Sequence, residues 1–459
     1  MQVHSGMRAV VIGLGTAGLS TVRHLLRRGV RVAVSEQSPA ERIDPATIDF
    51  LERNKVALES GGHTGAFLRG ADFVVPGPGV PLDLPILNEA RGLGLPLLGE
   101  LALAAGEFPV PVIAVTGSNG KTTTTGLIGT LLTQAGKRPF VGGNIGTPLL
   151  DFFIDPAAYG AAVLELSSFQ LDLAGEFRPD IGLLLNVSPD HIDRHGSLAA
   201  YTAAKMRLFA YQQPGDTAVF GADDPVVDAA RVPAGVAVHR FGTGEGCAAR
   251  IDGPLVHLRL EGRDEEYDLA ETRLHSSVNR QNAAAGILAA ALCDCGPEAI
   301  VQGLHTFAPP PHRMAEVATV GGVRFIDDSK ATNTGALQAA LAGCEAPVVL
   351  IAGGRDKGGD YALLRKVVGA RVKRLVLIGE AASLMRAALA PVVPCEYAGD
   401  MADAVRRAVG ATEPGDLVLL APGCASFDMF SGYAERGRVF ADCVLRLQAE
   451  RAGQGEVAA

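Results

Sequence analysis

At 459 residues the chain is too long for one typical core, and its length predicts two to four domains. An apolar content of 48% with 20% charged residues suits a globular protein in water, and a net charge of −9 excludes the basic face that a nucleic-acid binder needs. No uninterrupted apolar run reaches membrane-spanning length, no signal-peptide layout precedes the first strand, and seven scattered cysteines fit a reducing compartment, so the expectation is a cytoplasmic protein without membrane or nucleic-acid partners.

In chain order, residues 8–12 read as a strand followed by Gly13-Leu14-Gly15-Thr16-Ala17-Gly18 and a helical run over 19–28. A second strand over 30–34 ends at Ser35-Glu36. This is a dinucleotide-type opening, with glycines for a tight turn and an acidic residue roughly 20 positions on. What it selects physically is a diphosphate at a helix end, which a UDP-sugar satisfies as well as NAD does. A dinucleotide-dependent oxidoreductase is therefore one alternative, and a non-catalytic UDP-sugar or GTP switch another, although no Asn-Lys-x-Asp guanine signature occurs. A short strand over 71–75 runs into Pro76-Gly77-Pro78-Gly79, a further turn at a strand end where open α/β sheets bind ligands. A helix over 101–105 and the link Phe108-Pro109 place a domain boundary near residue 105.

The stretch PVIAVTGSNGKTTTT, residues 111–125, organises the rest of the chain. Residues 112–115 read as a buried strand, Gly117-Ser118-Asn119-Gly120 as a turn, and Leu127, Ile128, Leu131 and Leu132 as one face of a helix. Strand, glycine turn, lysine and hydroxyl point to a nucleotide triphosphate, with Lys121 as a point charge and Thr122 within reach of Mg²⁺. The general pattern GxxxxGK[ST] wants a glycine where Val115 stands, so the loop is an unusually short one.

Strands over 161–166 and 181–187 end in Glu165-Leu166-Ser167-Ser168-Phe169-Gln170 and in Asn186, with Asp190-His191 just beyond. Glu165 and His191 are the candidates for a metal beside Thr122, because Mg²⁺ prefers oxygen ligands with phosphate and water completing the shell. Lys205, on an expected helix, would by itself be a surface lysine. Pro309-Pro310-Pro311 forms a stiff linker into a third α/β unit with strands over 323–326, 348–352, 375–378 and 417–420. Three of these ends carry polar clusters: Asp327-Asp328-Ser329-Lys330-Ala331-Thr332-Asn333, Gly353-Gly354-Arg355-Asp356-Lys357, and Pro422-Gly423-Cys424-Ala425-Ser426-Phe427-Asp428. They predict half of a cleft that closes over substrates. Repeated βαβα patterning predicts parallel sheets covered by helices, three times over.

TGSNGKT, residues 116–122, resembles the nucleotide loop of the Mur ligase family, ATP-dependent amide ligases of bacterial wall synthesis, and the likeness extends over the whole chain. DDSKATN, residues 327–333, resembles the branch of that family that adds D-glutamate. The resemblance implies a Rossmann-like N-terminal domain (1–105) for a UDP-substrate, a central P-loop-type ATPase domain (106–308) and a Rossmann-like C-terminal domain (309–459) for the amino acid. It implies that Gly15, Thr16, Ala17, Ser35, Glu36, Gly77 and Gly79 hold the UDP moiety, with Asn144, Ser167 and Gln170 on the muramoyl-alanine part. Gly117, Ser118, Asn119, Gly120, Lys121, Thr122, Thr123, Asn279, Asn282, Arg313 and Asp328 would bind ATP. Thr122 and Glu165 would hold one Mg²⁺, and His191 with a carbamylated Lys205 would serve a second. Thr332, Lys357, Ser426 and Tyr433 would surround the D-glutamate, with Lys121, His191, Lys205 and Lys330 at the reacting centre. The chain departs from the family at Ser35, where an aspartate is common, at Ser431, where lysine is frequent, and at Tyr433, where phenylalanine is. A monomer acting on small molecules is expected.

Overall fold

The computed structural model describes residues 2–344 and 346–457, so the last two residues of the expected third domain lie outside the described residues. Strands β1 (Arg8–Ile12), β2 (Arg31–Glu36), β3 (Ala57–Ser60) and β4 (Phe73–Pro76) form a parallel sheet in the order β3-β2-β1-β4. Ala9, Val10, Val11 and Ile12 are fully buried, as a strand covered on both faces requires.

The second sheet holds β5 (Val112–Thr116), β6 (Pro139–Gly143), β7 (Ala161–Glu165), β8 (Ile181–Leu184), β9 (Thr217–Gly221), β10 (Ala237–Gly242), β11 (Ala249–Asp252), β12 (Leu255–Leu260) and β13 (Arg263–Asp268). Its order is β13-β12-β11-β10-β9-β8-β5-β7-β6, which puts β5 between β7 and β8. The ends of all three strands therefore meet at the phosphate-loop candidate. Helix Lys121–Gln134 lies against helix Ser277–Leu292, and Gly286 makes the approach possible: a Cβ there would sit 2.7 Å from Leu127 Cδ2.

The third sheet, β14 (Ala315–Val320), β15 (Val323–Asp327), β16 (Val348–Gly353), β17 (Val372–Ile378), β18 (Cys395–Tyr397) and β19 (Leu417–Leu420), runs in the order β14-β15-β19-β16-β17-β18. The strands expected from sequence occur within three residues at each end. The expectation of purely parallel sheets is corrected. β11, β12 and β13 pair antiparallel, and so do β14 and β15. The cause is local: Gly253-Pro254, Glu261-Gly262 and Gly321-Gly322 are two-residue connections whose glycines have positive φ, and such turns reverse a chain into a hairpin.

One apolar core runs from Ala9 on β1 to Val236, spanning the first sheet and one face of the second, while another fills the second sheet's opposite face. The third sheet has two cores of its own.

Candidate active site

Thr116 at the end of β5 is fully buried, and the chain leaves it through Gly117 at φ +154° and Gly120 at φ +87°. A side chain is strained at Gly120 on two counts, since left-handed backbone disfavours it and its Cβ would strike Asn282 Oδ1. Lys121 opens the following helix and folds back to donate to the Gly117 and Ser118 carbonyls at 2.8 and 3.0 Å. Asn186 beyond β8 clamps the loop from the side: its Oδ1 accepts from Asn119 N at 2.8 Å and its Nδ2 donates to Asn119 O at 3.0 Å. Burial lowers the Lys121 pKa, against the pull of Glu165 and Asp190.

Lys205 is not at the surface. It lies on helix Leu198–Met206, is 1% exposed, donates to Gly117 O at 2.8 Å and sits 4.4 Å from the centre of the Tyr201 ring. Burial, joined by the Lys121 charge, takes its pKa well below the usual lysine value. Glu165, 2% exposed at the end of β7, accepts from Asn144 Nδ2 at 2.8 Å through Oε1, while its Oε2 has no partner.

Three cavities follow one another across the molecule. The first, of 360 Å³, is lined by Gly15, Thr16, Ala17, Gly77, Gly79, Asn144 and Gln170 among others. Asn144 also lines the second, of 470 Å³, where Lys121, Thr122, Glu165, Ser167, His191 and Lys205 face Arg313, Lys330, Thr332, Lys357, Ser426 and Tyr433. Ser118, Asn119 and Gly120 line this cavity as well, and Asn119 and Gly120 continue into a third, of 440 Å³, with Asn282 and the apolar Leu185, Phe241 and Val278. The third domain closes on the second through polar contacts: Asn333 Nδ2 donates to Asp190 Oδ2 at 3.0 Å, and Lys357 Nζ lies 3.5 Å from Asp190 Oδ1. Burial pushes the Asp190 carboxyl up, but Lys357, His191, Asn333 and Lys121 together hold it below the usual range. Lys330 lies 4.2 Å from the Tyr433 ring centre, and burial with the charges of Arg313 and Lys121 lowers its pKa to about 8.

Other candidates are set back from the cavities. Ser35 is fully buried and bonds Glu59 Oε2 at 2.6 Å and His63 Nδ1 at 2.8 Å. Glu36 braces the glycine turn, accepting from Leu14 N at 2.6 Å and Ser38 N at 2.7 Å. Thr123 is buried in the helix, Asn279 accepts from Asn282 Nδ2 at 3.2 Å, and Asp328 accepts from Met314 N at 3.1 Å. Burial raises the Asp328 carboxyl to about 7. Ser431 turns away to Glu435 at 2.6 Å. Sequence reasoning assigned no role to Asn186, Asp190, Asn333 or Glu100; each stands at a strand end or helix start, a position shared with many residues of no function.

Family models match most of the chain: "Mur ligase MurD-like, N-terminal domain" over residues 7–99, "Mur ligase middle domain" over 115–290 and "Mur ligase, glutamate ligase domain" over 312–424. The chain belongs to the Mur ligase family. Among its relatives within this family, UDP-N-acetylmuramoylalanine--D-glutamate ligase of Desulfotalea psychrophila is 44% identical over 95% of this chain and 96% of its own. The protein of the same name from Syntrophotalea carbinolica is 40% identical over 98% and 99%. The Mur ligase fold is shared with the MurF ligase of Thermotoga maritima, solved in complex with ADP, at a TM-score of 0.61 and 18% identity over 98% of this chain and 96% of that one. The pseudomurein peptide ligase type C of Methanothermus fervidus gives 0.58 and 19% over 90% and 96%. The three-domain α/β architecture expected from the sequence is thus the one found.

A Mur ligase uses ATP and Mg²⁺, and the donor set can be tested for the metal. Among the described residues no three His, Cys, Asp or Glu side chains cluster as a protein-only metal cage would need. Mg²⁺ held by one or two protein oxygens and by phosphates needs no such cage. The unpartnered Glu165 Oε2, buried beside the phosphate loop and sharing a cavity with Thr122, fits that role. His191 and an unmodified Lys205 offer no anionic oxygen, so these two side chains alone do not make the oxygen-rich second site that Mg²⁺ prefers.

Proposed function

We propose that this protein joins D-glutamate to UDP-N-acetylmuramoyl-L-alanine at the expense of ATP, forming an amide bond in peptidoglycan precursor synthesis. The observation that carries this reading is the continuity of the three cavities, joined by Asn144 on one side and by Asn119 and Gly120 on the other. It supports a UDP moiety in the first cavity, with its diphosphate against the first turn of helix Thr16–Arg27. The alanyl carboxylate then reaches the second cavity, and adenosine occupies the third. D-Glutamate enters from the third domain, among Thr332, Lys357, Ser426 and Tyr433.

A carboxylate does not accept an amine until one of its oxygens becomes a leaving group. The alanyl carboxylate attacks the γ-phosphorus of ATP, the β–γ bridge bond breaks, and ADP leaves an acyl phosphate behind. The amine of D-glutamate attacks the acyl carbon, inorganic phosphate departs, and the amine gives up a proton. Lys121 and Lys330 hold positive charge where these anions meet, and the loop amides fix the phosphates in line. Thr122 and Glu165 would hold Mg²⁺, which would neutralise charge on the phosphates. We further propose that Lys205 is carbamylated. Its low basicity favours the neutral amine that reacts with CO₂, and the product is an anion that could serve a second Mg²⁺ with His191. Domain limits of 1–105, 106–308 and 309–459 and action as a monomer in the cytoplasm belong to the same reading. No helix among the described residues is long and apolar enough to cross a membrane.

Purified protein with Mg²⁺, ATP and UDP-N-acetylmuramoyl-L-alanine is expected to release phosphate with D-glutamate and not with L-glutamate. Release with L-glutamate alone overturns the assignment.

A further inference from the structure

The first cavity suits an anion yet carries no cation. Glycines, apolar residues and the amides of Asn144 and Gln170 dominate its lining, and its one ionisable side chain is an acid, Glu100. Glu100 opens the short helix Glu100–Ala104 between the first and second sheets. Gly99 lets that helix start lie close to helix Ser168–Asp172, since Gly99 N donates to Leu173 O at 3.1 Å and a Cβ on Gly99 would stand 2.6 Å from that oxygen.

Glu100 is 5% exposed. Its Oε1 accepts from Gln170 Nε2, and its Oε2 is buried without a partner. The Gln170 amide cannot turn over, because its oxygen already accepts from both the backbone N–H and the hydroxyl of Ser167 at 2.8 Å. Glu100 therefore anchors an amide in the first cavity that in turn orients Ser167 in the second.

We propose that Glu100 is a positioning residue for the acyl-donor substrate, present in the complex as the neutral acid, so that capture of the diphosphate-bearing substrate takes up a proton. This rests on the reading of the first cavity as the UDP-substrate site. The elements packed most closely against its helix are Leu149–Ile154, which carries Asp151, and Ser168–Asp172, which carries Asp172; neither carries a cation. The first turn of helix Thr16–Arg27 presents only Thr16, Ala17 and Gly18 to the cavity. Burial raises the Glu100 carboxyl to about 7, with Asp151 adding to the rise and the Gln170 hydrogen bond opposing it. A diphosphate diester brings two charges that do not titrate above neutrality, and placing them in the same cavity favours the protonated acid further. Above about pH 7 the free protein has lost a proton that the complex needs. Affinity then falls by roughly tenfold per pH unit until the complex itself ionises.

Calorimetry of the full chain with UDP-N-acetylmuramoyl-L-alanine alone, at pH 8 in buffers of different ionisation enthalpy, reads the proton count directly. The wild type is expected to take up roughly half to one proton per substrate bound. E100Q keeps the contact to Gln170 without a titrating group, and is expected to lose both the uptake and the fall in affinity between pH 6.5 and 8.5. E100A loses the contact as well, and its defect should fall on KM for the acyl donor, about tenfold, and not on KM for ATP. Wild-type binding without proton uptake overturns the proposal, as does equal uptake by E100Q. Should E100Q fail to fold, a pH-independent wild-type affinity overturns it alone. Absence of any wild-type binding overturns instead the assignment of the cavity.

Discussion

Lys205 and Lys121 show how the same side chain acquires different work from its surroundings. Both nitrogens reach the Gly117 carbonyl at 2.8 Å, so two amino groups converge on one loop oxygen, and burial disfavours charge on each. Lys121 follows the glycine turn directly, and its place at the loop was legible from spacing alone. Lys205 was not, because one lysine on an alanine-rich helix has no periodic signal; only the packing of that helix under the loop buries it. If Lys205 carries a carbamate, Lys205→Ala removes an anion that a small acid could replace. The expected result is a loss of roughly a hundredfold in kcat with partial recovery in millimolar-to-molar acetate or formate, read by phosphate release. A variant with an intact circular dichroism spectrum and no recovery would count against the modification.

At the scale of elements, turns decided more than strands did. The strand–loop–helix of β5 was readable because buried β-branched residues, two glycines and a helical repeat agree at every level. Gly120 is the tightest point of that unit. Gly120→Ala must hold a side chain at φ +87° against Asn282, which costs about 1–2 kcal/mol in backbone strain alone. It is expected to lower the melting temperature by several degrees and to weaken ATP binding at least tenfold. Calorimetric binding of UDP-N-acetylmuramoyl-L-alanine should be unchanged, because the first cavity does not include the loop. Loss of both bindings in a folded variant would mean that the cavities are not separable. The antiparallel strands β11 to β14 escaped the βαβα reading although their Gly253, Glu261-Gly262 and Gly321-Gly322 turns were in plain view. A helix-strand rhythm elsewhere in the chain outweighed three short local signals.

For the whole molecule, the distribution of cores predicts how the chain comes apart. The first two sheets share one apolar core, whereas the third has its own and meets the rest through polar pairs such as Asn333–Asp190 and Lys357–Asp190. Non-covalent polar contacts of this kind separate at little cost compared with a shared core. A fragment ending at residue 308 is therefore expected to fold, to bind UDP-N-acetylmuramoyl-L-alanine within about threefold of the full chain, and to form no amide. An unfolded fragment, judged by circular dichroism and gel filtration, would show that the third domain supports the shared core.

The sequence by itself determined the class of the molecule: three α/β units, a short phosphate loop and the polar strand ends of the third unit. Those features are local, and each is written in consecutive residues whose spacing matches one backbone geometry. Only the tertiary structure decided that Lys205 is buried, that Ser35 and Asp328 are turned away from the cavities, and that Glu165 and Glu100 each keep an unpartnered oxygen. Burial and hydrogen-bond satisfaction depend on residues far apart in the chain. Glu100 and Gln170, separated by 70 positions, meet only because Gly99 lets two helices approach.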